Sequence, residues 1–435
     1  MTPSVWQDTS YRHYAKMPLF LLLITVLASG SCVSMKEKRM ATGSGQTTEV
    51  LPTIAPQELG FAENTVALVK SDIDLKGRSC ELPKGVTLKA EGGKIKNGTL
   101  VGNGTKIEGS TALFDKVTIR GTWAVPHIST RLFADLSYTN SLRDVVALAN
   151  PSIKNTITIE PGNYAVYADK RQNDCICISD RTALIVNGTI QLLPNDHTDY
   201  NIIRATGTDI KITGTGQIIG DKHKHLGTAG EWGMGINFMN AHNASVTGLT
   251  ISECWGDCIY VGRESTRIEI ANCTLIHGRR QGISVTWADN VSIHDCTIRD
   301  VGGTAPEYAI DIEPNNGTTV DNVSIENVTV EDCVGGFLVT RNKGHKSSIG
   351  KVEIRNCRVS TTGKIPINIE LCKSAKVRGC AVDAYTTDKA ISCRNAGSIT
   401  IENNTMTGRP GIAASKAIEV SNCQQKAVKK NIVRR

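Results

Sequence analysis

Two short patterns of apolar and polar positions recur along the chain from residue 246 onward. In the first, an apolar residue is followed three positions later by a small or apolar residue, and usually then by Thr and another apolar residue. In the second, a small residue precedes an apolar–x–apolar triplet. The first pattern aligns Leu249, Cys273, Cys296, Val328, Cys357, Cys380 and Asn404. The second aligns Ile236, Ile259, Ile283, Ile310, Phe337, Ile367 and Ile391.

These repeats, 23 to 32 residues long, predict short strands that stack coil upon coil. No coil of this length buries its inner face alone, so the coils must stack on their neighbours in a parallel β-helix. Equivalent inward residues then form rows along the axis, with coils about 4.8 Å apart. We interpret the cysteines as small buried residues of such a row. A disulfide between Cys273 and Cys296, or a metal site, is the alternative.

The earlier half of the chain fits the same scheme more loosely. Short strands separated by Gly and Asn are predicted over 86–123 and again over 156–159, 183–193 and 210–219. Residues 141–150 predict one short amphipathic helix with Ser141 as N-cap. We therefore expect an elongated all-β domain over 59–410, with a short N-terminal capping helix, followed by a basic C-terminal tail over 411–435.

The N-terminus predicts export from the cytoplasm. Residues 17–31 form an apolar stretch preceded by Arg12, His13 and Lys16, which is typical of a signal peptide. It ends in small residues directly before Cys32, an arrangement that resembles the lipobox of bacterial lipoproteins. Residues 1–32 are thus predicted to be a signal peptide with lipidation at Cys32, and 33–58 a polar tether. Ordinary secretion after cleavage near Ser31 is the alternative, and Met17 is a second candidate start. The expected location is the outer membrane, the periplasm or the exterior.

Charge and composition limit the kinds of partner and the fold classes that the sequence allows. The chain has 49 basic and 42 acidic residues, a net charge of +7, without a long basic run or a nucleic-acid-binding motif. Nucleic acid is therefore not expected as a partner, and a membrane only through the N-terminal lipid. Its 40 glycines and many β-branched residues exclude an all-α fold.

Polar side chains concentrate on one outward row of the predicted coils. If the isoleucines of the second pattern point inward, the residues after them point outward. That outward row is Asn237, Tyr260, Ser284, Asp311, Leu338, Asn368 and Ser392, followed two positions later by Glu313, Glu370 and Arg394. Just before the same strands lie Glu231, Trp232, Asp257, Arg279, Arg280, Gln281 and Tyr308. We expect a groove for a polymer here.

Four segments carry a family resemblance. They are GTGQIIG (214–220), WGDCIYVG (255–262), RRQGISV (279–285) and YAIDIEP (308–314). Their order and spacing resemble the pectin-lyase-fold glycoside hydrolases of the polygalacturonase kind, right-handed parallel β-helices that act on acidic plant polysaccharides. Two of the segments are also similar to uncharacterised bacterial and phage tail-spike-like β-helix proteins.

The resemblance implies a right-handed parallel β-helix and a catalytic role for one carboxylate. Asp257 matches the second Asp of the family's catalytic pair. Gln281 stands where the family has His, Asp311 and Glu313 where it has Arg and Lys, and Met234 where it has an upstream Asp. Acids therefore replace the cations that would hold a sugar carboxylate.

The remaining chemistry favours hydrolysis of a polysaccharide. Glycoside hydrolysis needs a protonated acid and a second carboxylate. Asp257 and Asp311 lie two coils apart, about 10 Å between backbones, which is compatible with inverting enzymes. We predict Asp257 as general acid and Asp311 as base, with Glu313 tuning them or replacing one. Substrate-binding residues are predicted to be Glu231, Arg279, Arg280 and Gln281, with Trp232 and Tyr260 as stacking platforms for sugar rings.

Other functions remain open from the sequence alone. A polysaccharide lyase would use Arg279 or Arg280 as base with calcium bound by Asp311 and Glu313, whereas the hydrolase needs no cofactor. A glycan-binding β-helix without catalysis is the third possibility. The two arginines could also simply form ion pairs with Asp311 and Glu313. The run at 221–225 is expected to be an exposed loop.

Overall fold

The structure of the chain is a computed structural model that describes residues 53–168, 173–411 and 416–434. The predicted signal peptide, the lipidation site at Cys32 and the part of the predicted tether before residue 53 lie outside the described residues. Among the described residues, no helix has the length and apolar character needed to cross a bilayer.

The described chain begins with a 3-10 helix at Pro56–Leu59 and an N-terminal group of six strands. These strands are β1 (Val66–Val69), β2 (Ile73–Asp74), β3 (Ser79–Glu81), β4 (Thr87–Ala90), β5 (Ile95–Glu108) and β6 (Phe114–Trp123). All their pairings are parallel, and β5 pairs with each of β2, β3, β4 and β6.

A second group of strands starts the long coil. They are β7 (His127–Ser129), β8 (Asn155–Ile159), β9 (Asn163–Val166), β10 (Asp174–Ile178), β11 (Thr182–Val186), β12 (Thr189–Leu192), β13 (Asp199–Thr213), β14 (Gln217–Ile219), β15 (Trp232–Thr247), β16 (Thr250–Ser252), β17 (Ile259–Gly262), β18 (Ser265–Ala271) and β19 (Thr274–Ile276). Between β7 and β8 lie a 3-10 turn (Thr130–Leu132) and helix α1 (Leu142–Val146).

The remaining strands continue the same order. They are β20 (Ile283–Val285), β21 (Ala288–His294), β22 (Thr297–Arg299), β23 (Tyr308–Ile312), β24 (Thr319–Glu326), β25 (Thr329–Cys333), β26 (Gly335–Val339), β27 (Ser348–Ile349), β28 (Lys351–Arg355), β29 (Arg358–Thr361), β30 (Ile367–Glu370), β31 (Ser374–Arg378), β32 (Ala381–Tyr385), β33 (Ile391–Arg394), β34 (Ser398–Glu402), β35 (Thr405–Gly408), β36 (Ile418–Ser421), β37 (Gln425–Lys429) and β38 (Ile432–Arg434).

Each coil contributes one strand to each of three parallel faces. Face A contains β10, the first parts of β13 and β15, and then β17, β20, β23, β26, β30, β33 and β36. Face B contains β7, β8, β11, the second parts of β13 and β15, and then β18, β21, β24, β28, β31, β34 and β37. Face C contains β9, β12, β14, β16, β19, β22, β25, β29, β32, β35 and β38. The predicted parallel β-helix is confirmed.

Both predicted rows of inward residues are confirmed by the strand register. On face A, Ile236, Ile259, Ile283 and Ile310 pair in sequence and have no exposed surface. Because side chains alternate along a strand, this register also fixes the outward row predicted from the sequence. Tyr260, Ser284 and Asp311 are indeed successive partners on that row.

The cysteine row is a packing feature at the turn into face C. Cys273 and Cys296 precede the paired residues Thr274 and Thr297 on neighbouring strands. Both are buried free thiols, so the predicted packing role is confirmed and the disulfide alternative for this pair is wrong. Each thiol lies within hydrogen-bond distance of the carbonyl two residues earlier, at 3.3 Å for Cys273 and 3.2 Å for Cys296. Because each S–H group has a hydrogen-bond acceptor nearby, both cysteine side chains can be buried inside the coil.

Two sequence predictions need adjustment at the ends of the domain. Helix α1 lies inside the predicted 141–150 segment, but the Ser141 hydroxyl donates to the carbonyl of Leu136 and does not cap the helix. The residues predicted to be a basic tail form strands β36, β37 and β38, which pair with the preceding coil. No described coil stacks on this last one, so β37 is exposed throughout and β36 is only half-buried, which allows a sequence as polar as that of a tail.

The first prediction concerns the inward row. Replacing Ile310 by Ala removes fully buried methyl groups, and we expect the free energy of unfolding to fall by about 2–5 kcal/mol. Urea unfolding followed by circular dichroism measures this as a lower midpoint with an unchanged slope. The matched control is Lys351→Ala, an exposed position on β28, which should leave the midpoint unchanged. A loss in the control as large as that in Ile310→Ala would contradict the assignment of the row.

Candidate active site

The candidate site lies on the outward side of face A, at the corner where the chain enters it from face C. Asp257, Gln281 and Tyr308 each stand two positions before the inward residues Ile259, Ile283 and Ile310. They form a corner row beside the outward row of Tyr260, Ser284 and Asp311. Successive coils therefore bring residues about 25 positions apart in sequence into neighbouring places about 4.8 Å apart.

Arg280 is a cation shared by several carboxylates. Its Nη1 lies 3.3 and 3.2 Å from the two carboxylate oxygens of Asp257, and its Nε lies 3.6 Å from Glu231. Asp257 has no exposed surface, whereas the Glu231 side chain is 33% exposed. Burial raises the pKa of Asp257, and the Arg280 charge opposes that shift. Asp257, predicted as the general acid, thus lies behind Arg280 and out of contact with solvent.

Asp311 is buried beneath the same cluster. Its Oδ2 accepts a hydrogen bond from Gln281 Nε2 at 2.8 Å, while its Oδ1 has no hydrogen-bond partner. Gln281 also accepts from the backbone N–H of Tyr308 at 2.7 Å. Both ends of the Gln281 amide are therefore used inside the protein, and the side chain has no exposed surface for the substrate contact that the sequence predicted.

Asp311 and half-buried Glu313 interact as a coupled carboxyl pair. Burial raises the pKa of Asp311 well above its usual value, and the charge of Glu313 raises it further, against the opposing charge of Arg280. Burial also raises the pKa of Glu313, again opposed by Arg280. Two buried carboxylates next to each other are costly when both are ionised, so the pair holds a proton at a pH where an ordinary carboxylic acid has lost it.

The cluster therefore combines a proton donor with ionised groups. The charges of Asp257, Asp311 and Glu231 raise the pKa of Arg280, although burial opposes this. Arg280 consequently remains a cation that holds the ionised carboxylates in place. A carboxyl group that keeps its proton beside one that has lost it is the arrangement that general acid–base catalysis requires.

The predicted stacking residues border this cluster. Tyr260 is half-buried, and its hydroxyl accepts a hydrogen bond from Thr286 Oγ1 at 2.7 Å. Its ring lies over Gly262, where an added Cβ would meet the ring at 2.7 Å. Gly262 is thus required for this orientation of the ring. Trp232 is half-buried at the start of β15, as expected of a residue that borders a groove.

Arg279 holds the loop over 221–231 in place and does not pair with Asp311 or Glu313. Its guanidinium lies 3.6 Å above the ring of Trp255, and its Nη1 donates to the carbonyl of Gly230 at 2.9 Å. Arg279, predicted from the sequence to contact substrate, is half-buried and makes a cation–π contact and a hydrogen bond within the protein. Glu231 is the last residue of this loop, so the loop places Glu231 next to Arg280.

The expectation of an exposed loop at 221–225 is wrong for two of its residues. The Asp221 side chain is fully buried and accepts hydrogen bonds from Asn195 at 2.9 Å and from Tyr200. His225 Nδ1 lies 2.8 Å from Asp221, and the His225 ring stacks on Trp255 at 3.8 Å. The sequence offered the run at 221–225 and Trp255 in the WGDCIYVG segment as signals, but not their contact, because the partners come from different coils.

A second group of polar side chains lies on the turns that leave face C. His223 and His277 contact the two carboxylate oxygens of Glu253, and His277 Nε2 lies 3.6 Å from Asp300. The ammonium of Lys222 donates to the carbonyl of Gly302 at 3.0 Å. Among the described residues, no group of three or more His, Cys, Asp and Glu side chains is arranged to hold a metal ion.

Comparison with known proteins supports the fold. Residues 149–322 match the family described as the right handed beta helix region. This part of the chain is a right-handed β-helix. The chain is 32% identical over 203 residues to the uncharacterized protein YclG of Bacillus subtilis (strain 168), which is 41% of this chain and 32% of YclG. The chain thus spans about a third of the length of that relative.

Two solved structures are similar at low identity. The tailspike protein of E. coli bacteriophage HK620 in complex with a pentasaccharide has a TM-score of 0.47 and 15% identity, over 68% of this chain and 62% of the tailspike chain. An exopolygalacturonase from Thermotoga maritima has a TM-score of 0.49 and 13% identity, over 71% of this chain and 91% of the enzyme. Similarity at this level assigns no activity to the right-handed β-helix described here.

Arg280 provides a test of the cluster's electrostatics. We expect Arg280→Ala to lower the free energy of unfolding by about 3–5 kcal/mol near neutral pH, because buried Asp257 then lacks a counterion. The double variant Asp257→Asn/Arg280→Ala should recover part of this loss. Urea unfolding of the wild type and both variants measures the difference. Equal losses in the single and double variants would contradict the pairing.

The raised pKa of Asp311 predicts a pH dependence. The folded protein holds this proton more tightly than the unfolded chain, so its contribution to stability is present below the ordinary Asp pKa of about 4. That contribution is lost as the pH rises through the raised value. Asp311→Asn removes the titrating group but keeps a side-chain oxygen that accepts from Gln281. The variant should therefore lose less stability than the wild type as the pH rises from 4 to neutrality. Asp289→Asn, at an exposed position, is the control. If the stability of the wild type and that of Asp311→Asn changed with pH in the same way, the pKa of Asp311 would be unshifted.

Proposed function

We propose that the protein is a polysaccharide-cleaving enzyme, a glycoside hydrolase with its active site at the Arg280 cluster. The observation that carries this proposal is the coupled pair of Asp311 and Glu313, whose pKa values burial raises, beside the cation Arg280. Such a pair supplies a carboxylic acid that keeps its proton at a higher pH than an ordinary carboxyl group does. Glu231, which lies 3.6 Å from Arg280 Nε with its side chain 33% exposed, supplies a carboxylate that solvent can reach.

In this proposal each carboxyl group has a different role. Half-buried Glu313 donates the shared proton to the glycosidic oxygen as the bond from that oxygen to the anomeric carbon breaks. Glu231 removes a proton from the water whose oxygen bonds to the anomeric carbon. Asp311 holds the proton with Glu313 and tunes its pKa, whereas the sequence predicted Asp311 as the base. Asp257 acts through Arg280, which it positions.

Aromatic side chains close to the cluster in the fold support a saccharide substrate. Half-buried Tyr260 lies on the same outward row of face A as Asp311, and half-buried Trp232 directly follows Glu231. Aromatic rings that keep one polar end in water are suited to stack against sugar rings. The substrate proposed is therefore a polysaccharide lying along the coils.

The lyase alternative is disfavoured by the state of Arg280. A lyase needs a group that removes a proton from the sugar, and an arginine serves only when its pKa is lowered. The pKa of Arg280 is instead raised by the carboxylates that surround it. Burial lowers the pKa of Arg279, but its guanidinium is held over the Trp255 ring and donates to the Gly230 carbonyl.

Cleavage of acidic and neutral polysaccharides by the protein without residues 1–32 tests the proposal. We expect new reducing ends without the ultraviolet absorbance of an unsaturated sugar, and no effect of EDTA. Glu313→Gln should lower the rate at least about 100-fold because the proton donor is lost. The matched control is Glu331→Gln, an exposed glutamate on face C, which should retain full activity.

The same assay identifies the competing functions. Ultraviolet absorbance with EDTA sensitivity would establish a metal-dependent lyase. Full activity in Glu313→Gln would move the chemistry away from this cluster. Absence of cleavage across the panel, with polysaccharide binding retained, would replace the hydrolase by a glycan-binding protein.

A further inference from the structure

A second cavity lies at the corner where the chain passes from face A to face B, on the C-terminal side of the acidic cluster. Its volume is about 530 Å³, within the range of small-ligand sites and far more than a single anion needs. Three successive coils line it, with residues of the segments 341–349, 371–373 and 395–398, and the last coil adds 424–425. The cavity thus follows the axis along which the coils stack.

The cavity is positively charged. Arg341 and Lys373 line it, and in the described parts of the chain neither residue forms an ion pair. The Arg341 guanidinium makes one long hydrogen bond, 3.5 Å from Nη1 to the carbonyl of His345. The described residues that line the cavity include no acidic side chain. The nearby carboxylate of Glu370 already pairs with Lys343 and Arg394.

The rest of the lining consists of uncharged hydrogen-bonding groups. The hydroxyl of Ser347 is buried without a hydrogen-bond partner, which marks a polar atom that a ligand could satisfy. The other hydroxyl and amide side chains are Ser398, Gln424, Gln425 and Ser348, whose hydroxyl also contacts that of Thr319. Asn395 lines the cavity too, but its amide already donates to Glu370 and accepts from Asn422. Such groups both donate and accept hydrogen bonds, as the hydroxyls of a sugar do. The described lining has no aromatic side chain, so recognition depends on hydrogen bonds and charge.

We propose that this cavity is a second saccharide-binding site, separate from the acidic cluster, that takes an anionic sugar unit. The carboxylate or sulfate ester of the sugar would lie between Arg341 and Lys373, and its hydroxyls would bond to the amide and hydroxyl side chains. Binding here does not require the hydrolase proposed above, since a purely adhesive protein would use the same cavity. If a polysaccharide lay along the coils, this cavity would hold its anionic sugar unit away from the carboxylates around Arg280.

Isothermal titration of the full chain tests this site with three probes: trigalacturonate, a sulfated trisaccharide and neutral maltotriose. We expect at least one anionic probe to bind more tightly than maltotriose, and whichever anionic probe does so identifies the anion as carboxylate or sulfate ester. Arg341→Gln/Lys373→Gln should weaken that binding about tenfold or more, because two charge-assisted contacts are lost. Lys373 is exposed, and half-buried Arg341 makes one long hydrogen bond, so the urea midpoint should stay close to that of the wild type.

The matched control removes the same charge elsewhere. Arg299→Gln/Lys376→Gln replaces exposed residues on faces C and B that form no ion pair in the described chain, and it should bind as the wild type does. Equal weakening by both double variants would show a general charge effect and overturn the proposal. Equal binding of charged and neutral probes would also overturn it. Binding lost in Glu313→Gln but kept in the cavity variant would assign the ligand to the acidic cluster instead.

Discussion

The stacking register of parallel coils is the constraint on which the rest of this structure depends. A coil of about 25 residues cannot bury its inner face, and only the coils above and below it complete the core. The inward row that includes Ile259, Ile283 and Ile310 is fully buried for this reason. A slip of one residue would turn this row toward solvent, so the register is strongly specified. The outward rows, and with them the candidate site, are fixed by the same register.

The candidate site places an unusual amount of charge at low exposure on this regular scaffold. Arg280 lies among Asp257, Glu231, Asp311 and Glu313, and burial raises the pKa values of Asp257, Asp311 and Glu313. A buried ion pair contributes little net stability after desolvation, so these contacts position groups more than they stabilise the fold. The loop anchored by the stack of Arg279, Trp255 and His225 completes the site, because that loop carries Glu231.

The acidic cluster and the basic cavity lie at different corners of face A and differ in sign. The cluster is made of carboxyl groups around one arginine, whereas the cavity has two unpaired cations and uncharged polar groups. A polymer would contact both only if it crossed face A while it ran along the coils. This arrangement follows from the solenoid itself, since each coil adds one more residue to every outward row.

The sequence by itself determined the periodic features. The recurrence of Ile and Cys at fixed places predicted the parallel coils, the inward rows and the outward row containing Tyr260, Ser284 and Asp311, because alternation along a strand is a local property of the backbone. It could not determine which outward polar groups are covered. Asp257 and Gln281 are buried, Arg279 faces Trp255, and Asp221 anchors a loop expected to be exposed. These outcomes depend on turns of different length that fold over the coils, and only the tertiary structure brings their residues together.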